Sequence, residues 1–296
     1  MSPAPILFKG SGVALVTPFD EQGIATTVLE QLIEWHIAEG SDAIIVGGTT
    51  GEASTLTDEE RQTLYRTSVS VADGRIPIIA GTGSNNTAKA VAYAKLAEAA
   101  GVDGLLVVTP YYNKCTQQGL YEHFSAIANA VAIPIILYNV PSRTSVNLLP
   151  ETVLKLSDHP NIVGIKEASG DITQIVELFR ILEGKISVYS GNDDHIIPLL
   201  ALGGHGVIST VANVLPKLTH DLVAAYGQNP SEALAIQFKI NPLVKVIFSE
   251  VNPIPVKAAV GLLGFEVGDV RLPLTPATET TLNHLKAALM ALEVIR

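Results

Sequence analysis

Lys166 ends a β-branched run, Ile-Val-Gly-Ile-Lys-Glu over residues 162–167, and the turn residues Ala168, Ser169 and Gly170 follow it. An amine can attack a carbonyl and hold the product as an imine, provided that it spends time unprotonated. A dry interior favours this, because desolvation penalises the ammonium form. Period-2 alternation predicts Ile162, Gly164 and Lys166 on one face of a strand, with Val163 and Ile165 on the other. If both faces are covered, as in a parallel sheet, the amine sits away from water. A strand-end lysine can also run its stem over apolar neighbours and place the ammonium in solvent, the ordinary reading of such a residue alone. What other strand-like runs carry at the same height decides between the two.

Those runs end in a polar rim: Thr49-Thr50-Gly51-Glu52, residues 109–113 (Thr-Pro-Tyr-Tyr-Asn), Tyr138-Asn139, Lys166-Glu167, residues 190–193 (Ser-Gly-Asn-Asp) and Ser209-Thr210. Alternation puts Tyr138 with Ile136, on a face that can share an interior with Lys166. Imine chemistry has to take protons from the attacking amine and deliver them to the departing hydroxyl. A phenol steadied by a second hydroxyl can relay them. Taken alone, Tyr138 fits a core aromatic with a satisfied hydroxyl equally well, and Thr49 and Thr50 fit loop-closing or capping hydroxyls. Beside Lys166, the relay is the better account. Gly81-Thr82-Gly83 lacks the third glycine of a dinucleotide fingerprint, where Asn86 stands. The seven histidines show no metal-ligand spacing, and residues 192–195 (Asn-Asp-Asp-His) read as a polar loop and helix cap. Cys115 has no evident base beside it, so packing or incidental exposure is the better reading than nucleophilicity.

The elements that must position these groups alternate along the chain. Strands are predicted at 12–18, 42–48, 76–82, 104–110, 133–139, 162–169, 186–191 and 206–210. Helix-compatible segments lie between them, among them 27–40, one opened by the capping-box pattern Thr57-Asp58-Glu59-Glu60, and 87–100. Eight such repeats point to a closed (β/α)8 TIM barrel, with the site at the strand C-termini. After a helix near 216–226 the alternation stops. Helices at 230–250, 253–263 and 277–295 predict a C-terminal helical extension packed on the barrel, giving a barrel domain at 1–229 and an extension at 230–296. A chain that is 47% apolar and 16% charged can bury a large core. Mean hydropathy of +0.34 prompts a search for membrane spans. The longest uncharged stretch, 196–216, is broken by Pro198, Gly203, Gly204 and Gly206 and is read as helix, turn and strand. No signal-peptide pattern opens the sequence. One cysteine fits a reducing compartment. The net charge of −10 argues against a nucleic-acid partner.

Gly-Gly-Thr-Thr-Gly-Glu (47–52), Pro-Tyr-Tyr-Asn-Lys (110–114), Tyr-Asn-Val-Pro-Ser-Arg-Thr (138–144), Gly-Ile-Lys-Glu-Ala (164–168), Ser-Gly-Asn-Asp (190–193), Gly-Val-Ile-Ser (206–209) and Asn-Pro-Ile-Pro-Val-Lys (252–257) together resemble the 4-hydroxy-tetrahydrodipicolinate synthase family, also called dihydrodipicolinate synthases. The likeness runs nearly end to end. The family belongs to the pyruvate-dependent class I aldolases, which share the barrel and the lysine. The resemblance implies that Lys166 forms an imine with pyruvate, whose enamine attacks L-aspartate 4-semialdehyde on the way to lysine and diaminopimelate. It implies Tyr138 as central acid/base, linked through Thr49 to Tyr112, the last reaching in from a neighbouring subunit. Thr50 and Ile208 are then expected to hold the pyruvate end, Gly191 to line the site, and Arg143 to clamp the semialdehyde carboxylate, a task suited to a planar guanidinium. No metal or organic cofactor is expected, and a cytoplasmic homotetramer of tight dimers is.

Two departures from the family pattern matter. Cys115 stands where proline is frequent, loosening the loop of Tyr112. Lys89 stands where lysine-sensitive members carry an acidic residue, and Asp58 and Arg61 replace histidines found in some of them, while Asn85 and Tyr111 of that effector site are kept. A cation facing the ammonium of L-lysine predicts weak or absent feedback inhibition. A sugar-acid lyase of the same superfamily is disfavoured by Arg143 and the Thr49–Thr50 pair. A barrel that binds a keto acid without catalysis is disfavoured by Lys166, Tyr138 and Thr49 together.

Overall fold

The computed structural model describes residues 4–295. Strand β1 (Gly10–Ala14) leads into a short antiparallel ribbon, β2 (Phe19–Asp20) and β3 (Gly23–Ile24), and then helix α1 (Thr26–Ala38). Alternation follows: β4 (Ala43–Val46), α2 (Asp58–Ala72), β5 (Ile78–Gly81), α3 (Thr87–Ala99), β6 (Gly104–Val108), α4 (Gln117–Ala128) and β7 (Ile135–Asn139). Two short helices, α5 (Pro141–Thr144) and α6 (Pro150–Leu156), precede β8 (Ile162–Glu167), α7 (Ile172–Leu182), β9 (Ser187–Ser190), α8 (Ile196–Ala201), β10 (Gly206–Ser209) and α9 (Pro216–Tyr226). Among the described residues, eight of these strands, β1 and β4 to β10, close into one parallel barrel in which β10 returns to β1. This is the (β/α)8 fold that the alternation predicts.

Two layers of core hold it. Outward-facing strand residues such as Ile44, Leu105 and Val188 pack against the helices. Inward-facing Ile45, Ile79, Leu106, Ile136 and Tyr189 fill the lumen. At the N-terminal end Phe8 stacks on Tyr189, ring centroids 4.4 Å apart, and the Tyr189 hydroxyl donates to the Phe8 carbonyl at 2.6 Å. The stack plugs that end, so the opposite face is where a ligand can enter. Helix α2 starts with the expected capping box, Thr57 and Glu60 each accepting from the other's main-chain N–H.

Two local expectations change, and one element is unannounced. The first strand is shifted from 12–18 to Gly10–Ala14, because the Val16 N–H goes to the Asn213 side chain and Pro18 has no N–H to pair. The β2–β3 ribbon is too short to leave a periodic trace. Strand β8 carries an irregularity: Ile135 pairs with Ile162, but Ile136 pairs with Gly164. One residue is therefore inserted, and Ile162 belongs to the outer layer rather than to the face of Gly164 and Lys166.

Beyond the barrel lie α10 (Pro230–Ile247), α11 (Ile254–Leu262) and α12 (Glu279–Ala291). Helix α10 packs on α9 and α12, and its buried Gln237 donates to the Asp193 carbonyl at 2.9 Å. Among the described residues, no helix is long and apolar enough to cross a membrane.

Candidate active site

Lys166 is the penultimate residue of β8 and directly opposes Tyr138 on β7. Its side chain is buried, and the amine lies 4.4 Å from the centroid of the Tyr138 ring, close enough for a cation–π contact when protonated. Tyr138 is buried in the lumen layer. Both groups lie on the lumen side, as the period-2 alternation predicts. Gly191 touches the same place: a Cβ there would stand 3.0 Å from Lys166 Cε and 2.6 Å from Ala168 Cβ. Only glycine leaves the amine room to turn. Ile208, wholly buried, supplies an apolar wall from β10.

Behind these strands a polar lock fixes their ends. Asn139 and Glu167 follow Tyr138 and Lys166, oppose each other in register, and point away from the lumen. The Asn139 amide donates to Glu167 at 3.1 Å and to Asn147 at 2.9 Å, and the Asn139 carbonyl oxygen of the side chain accepts from the Leu148 N–H. Burial raises the Glu167 carboxyl above its ordinary range, opposed by hydrogen bonds from Ser169 and Asn139. Asp193 is also buried, and burial raises its carboxyl; Ser209 and the Val211 and Thr210 N–H groups offset this, as does the nearby charge of Lys166.

The other rim residues converge from separate loops. Thr50 is buried and its hydroxyl accepts from the Asn252 amide at 3.0 Å. Arg143, on the single turn of α5, donates to the Asn252 carbonyl at 3.1 Å. Thr49, Tyr138 and Arg143 line one cavity of about 490 Å³. Lys166 is not itself among the lining residues; its amine adjoins the cavity through the Tyr138 ring, 4.4 Å away. Asn85, Lys89 and Tyr111 line a further reach of the same cavity. The Lys89 ammonium stands 5.3 Å from the Tyr93 ring, whose other neighbour is the buried Arg61 guanidinium at 4.2 Å. Hydrogen bonding to Tyr93 raises the Lys89 amine above its ordinary range. Asp58 is exposed at the start of α2.

Tyr112 is not brought to the Lys166 site of its own chain. It is 89% exposed on a left-handed turn, φ +74°. Cys115 is half-buried, and burial raises its thiol, so it is a poor nucleophile here. The glycines of Gly81-Thr82-Gly83 are explained by crowding: a Cβ on Gly81 would meet the Gly47 carbonyl at 2.2 Å, and one on Gly83 the Val108 N–H at 2.6 Å.

Asn252, Lys257 and Glu52 carry structure at the site that no residue pattern announced. Lys257 and Glu52 form an ion pair at 2.7 Å, both side chains almost wholly buried. They lie 205 positions apart, one of them outside the strand–helix alternation. The motif at 252–257 was visible, but nothing local says what its asparagine and lysine touch.

Residues 7–292 match the model of the dihydrodipicolinate synthetase family. A 4-hydroxy-tetrahydrodipicolinate synthase of Thermoanaerobacter sp. (strain X514) is 57% identical over 96% of this chain and 96% of its own. The dihydrodipicolinate synthase of Thermotoga maritima superposes with a TM-score of 0.96 at 44% identity, covering 98% of this chain and all of that one. The chloride-inhibited dihydrodipicolinate synthase of Acinetobacter baumannii, complexed with pyruvate, gives 0.94 at 46% identity, covering 97% and 99%.

Proposed function

Since the chain belongs to the dihydrodipicolinate synthetase family, we propose specific roles for its residues in the condensation of pyruvate with L-aspartate 4-semialdehyde. The protein is a lyase of the class I aldolase type, a 4-hydroxy-tetrahydrodipicolinate synthase serving lysine and diaminopimelate synthesis. The Lys166 amine adds to the C2 carbonyl of pyruvate. Water leaves, and loss of a methyl proton gives an enamine. Its carbon attacks the aldehyde, and the amino group of the acceptor then closes on the imine carbon and frees Lys166. Tyr138 moves the protons, with Thr49 beside it in the cavity and Tyr112 arriving from a neighbouring subunit. Thr50 and Ile208 hold pyruvate, Gly191 leaves room for it, and Arg143 takes the acceptor carboxylate.

The observation that carries this reading is the buried Lys166 amine facing the Tyr138 ring at 4.4 Å, at the C-terminal mouth of a closed parallel barrel. A coupled assay tests it. Aspartate semialdehyde with pyruvate should turn over, N-acetylneuraminate and 2-keto-3-deoxygluconate should not, and Lys166→Ala should abolish the reaction. Product formation by Lys166→Ala would contradict the mechanism.

The protein is read as a cytoplasmic homotetramer of tight dimers, and the 89% exposure of Tyr112 supports one part of that reading, that each Tyr112 is covered by a neighbour and completes its site. Mixing Tyr112→Phe with Lys166→Ala subunits should then restore activity that neither has alone. The cation at Lys89, with Asp58 and Arg61 nearby, supports weak or absent inhibition by L-lysine. Strong inhibition at sub-millimolar L-lysine would contradict it. Residues 1–229 serve as the catalytic barrel and 230–296 as the extension packed on it.

A further inference from the structure

Glu52 closes the turn that begins Thr49-Thr50, and the chemistry above makes no use of it. It is 3% exposed, and its backbone is left-handed, φ +54°. A residue with a Cβ persists there only when its surroundings hold it. The holding groups come from the C-terminal extension. The Lys257 ammonium donates to one carboxylate oxygen at 2.7 Å and the Arg271 main-chain N–H to the other at 2.8 Å. Lys257 is itself seated by the Asp269 carbonyl at 3.0 Å. On the barrel side, the Glu52 N–H donates to the Thr49 carbonyl at 3.1 Å, and the Glu52 carbonyl accepts from the Thr55 hydroxyl, also at 3.1 Å. The turn bearing both threonines is therefore fixed through one carboxylate.

Stability alone is a weak reason for this design. Taking an ammonium and a carboxylate out of water costs about as much as their attraction returns, and apolar residues of similar volume often do as well. An ion pair whose two charged groups make two further hydrogen bonds, from the Arg271 N–H and to the Asp269 carbonyl, offers direction, which apolar packing does not. Asn252, also from the extension, donates to the Thr50 hydroxyl at 3.0 Å, so the same turn is gripped at a second point.

We propose that Glu52, held by Lys257 and Arg271, is a positioning residue for the condensation. It sets the Thr49 and Thr50 hydroxyls at the pyruvate end of the site, which makes the extension part of the catalytic apparatus. This rests on the pyruvate reading above. The test is the full-length double variant Glu52→Gln/Lys257→Met, which removes both charges together and leaves no buried ion unpaired. It should unfold within a few degrees of the wild type. Its KM for pyruvate should rise about tenfold and its kcat fall about tenfold, since small misplacements near reacting groups are costly. Its KM for the semialdehyde, whose carboxylate meets Arg143 on another loop, should stay within about twofold. Lys257→Arg, which keeps the cation, should retain a pyruvate KM near that of the wild type. A folded double variant with wild-type constants overturns the proposal. So does a lower kcat that matches only a smaller fraction of borohydride-trappable sites, with both KM values unchanged. If the double variant does not fold, Glu52→Asp gives the same readout: a raised pyruvate KM with an unchanged semialdehyde KM supports the proposal, and equal constants overturn it. A wild-type protein that neither traps pyruvate nor turns over defeats the functional reading itself, an outcome distinct from any of these.

Discussion

Lys166 and Lys257 are both buried, at 5% and 2% exposure, yet the fold treats their amines in opposite ways. Lys257 meets Glu52 and the Asp269 carbonyl, each within 3.0 Å. Burial lowers its amine from the ordinary range, and the Glu52 carboxylate pushes back. Such an ammonium is committed to its neighbours. Lys166 faces a phenol ring, a glycine that leaves space and an apolar wall. The buried carboxyls at the neighbouring strand ends, Asp193 and Glu167, are engaged by Ser209 and by Asn139 and Ser169. Burial alone does not make a nucleophile. An amine without a committed partner, placed where a carbonyl can reach it, does.

The sharpest way to break this contrast is to exchange each lysine for methionine. Lys166→Met should lower kcat by about 10³-fold or more, because the covalent route is lost. It should leave stability unchanged or raised, since a desolvated amine has been removed. Steady-state kinetics and urea titration measure both. Tyr138→Phe keeps the ring against the amine and deletes only the hydroxyl. It should lower kcat by about 10²–10³-fold, while pyruvate can still be trapped on Lys166. An unchanged kcat would remove the phenol from the relay. Lys257→Met should do the reverse of Lys166→Met: it strands Glu52 and costs about 3–5 kcal/mol of stability, while the folded fraction still forms the pyruvate adduct at Lys166. Adding Glu52→Gln should recover most of that loss in a urea titration.

The smallest effect concerns two buried bases outside the site, His36, whose Nδ1 meets the Ser41 hydroxyl at 3.0 Å, and His123, whose Nδ1 meets the Thr87 hydroxyl at 2.9 Å. Burial lowers His36 to about 3 and His123 to about 4. Both are thus neutral in the folded protein at pH values where an unfolded histidine, with its pKa near 6.5, takes up a proton. Their contribution is complete above about pH 6.5 and is lost as the pH falls towards the folded values. At pH 5 the loss should be about 2 kcal/mol for each. Urea midpoints compared at pH 7 and pH 5 measure it, and a flat profile would contradict neutral burial.

The barrel was legible because eight strand–helix repeats point to closure rather than to an open sheet, and the lumen side of Tyr138 and Lys166 followed from alternation. Ile162 was misplaced because period-2 reasoning cannot see an inserted residue, which shows only against the partner strand β7. Glu52 and Lys257 stayed hidden for another reason. Their meeting depends on how the extension folds back on the barrel, and neither residue has a local pattern that encodes it. Tyr112 enters the proposed site only through its family motif, since within its own chain the side chain faces solvent.

Reduction with borohydride in the presence of pyruvate, followed by mass spectrometry of the digested protein, tests the distinction between the two lysines most directly. The adduct should sit on the peptide containing Lys166 alone, with the Lys257 peptide unmodified. Label on Lys257, or turnover without any adduct on Lys166, would contradict the account.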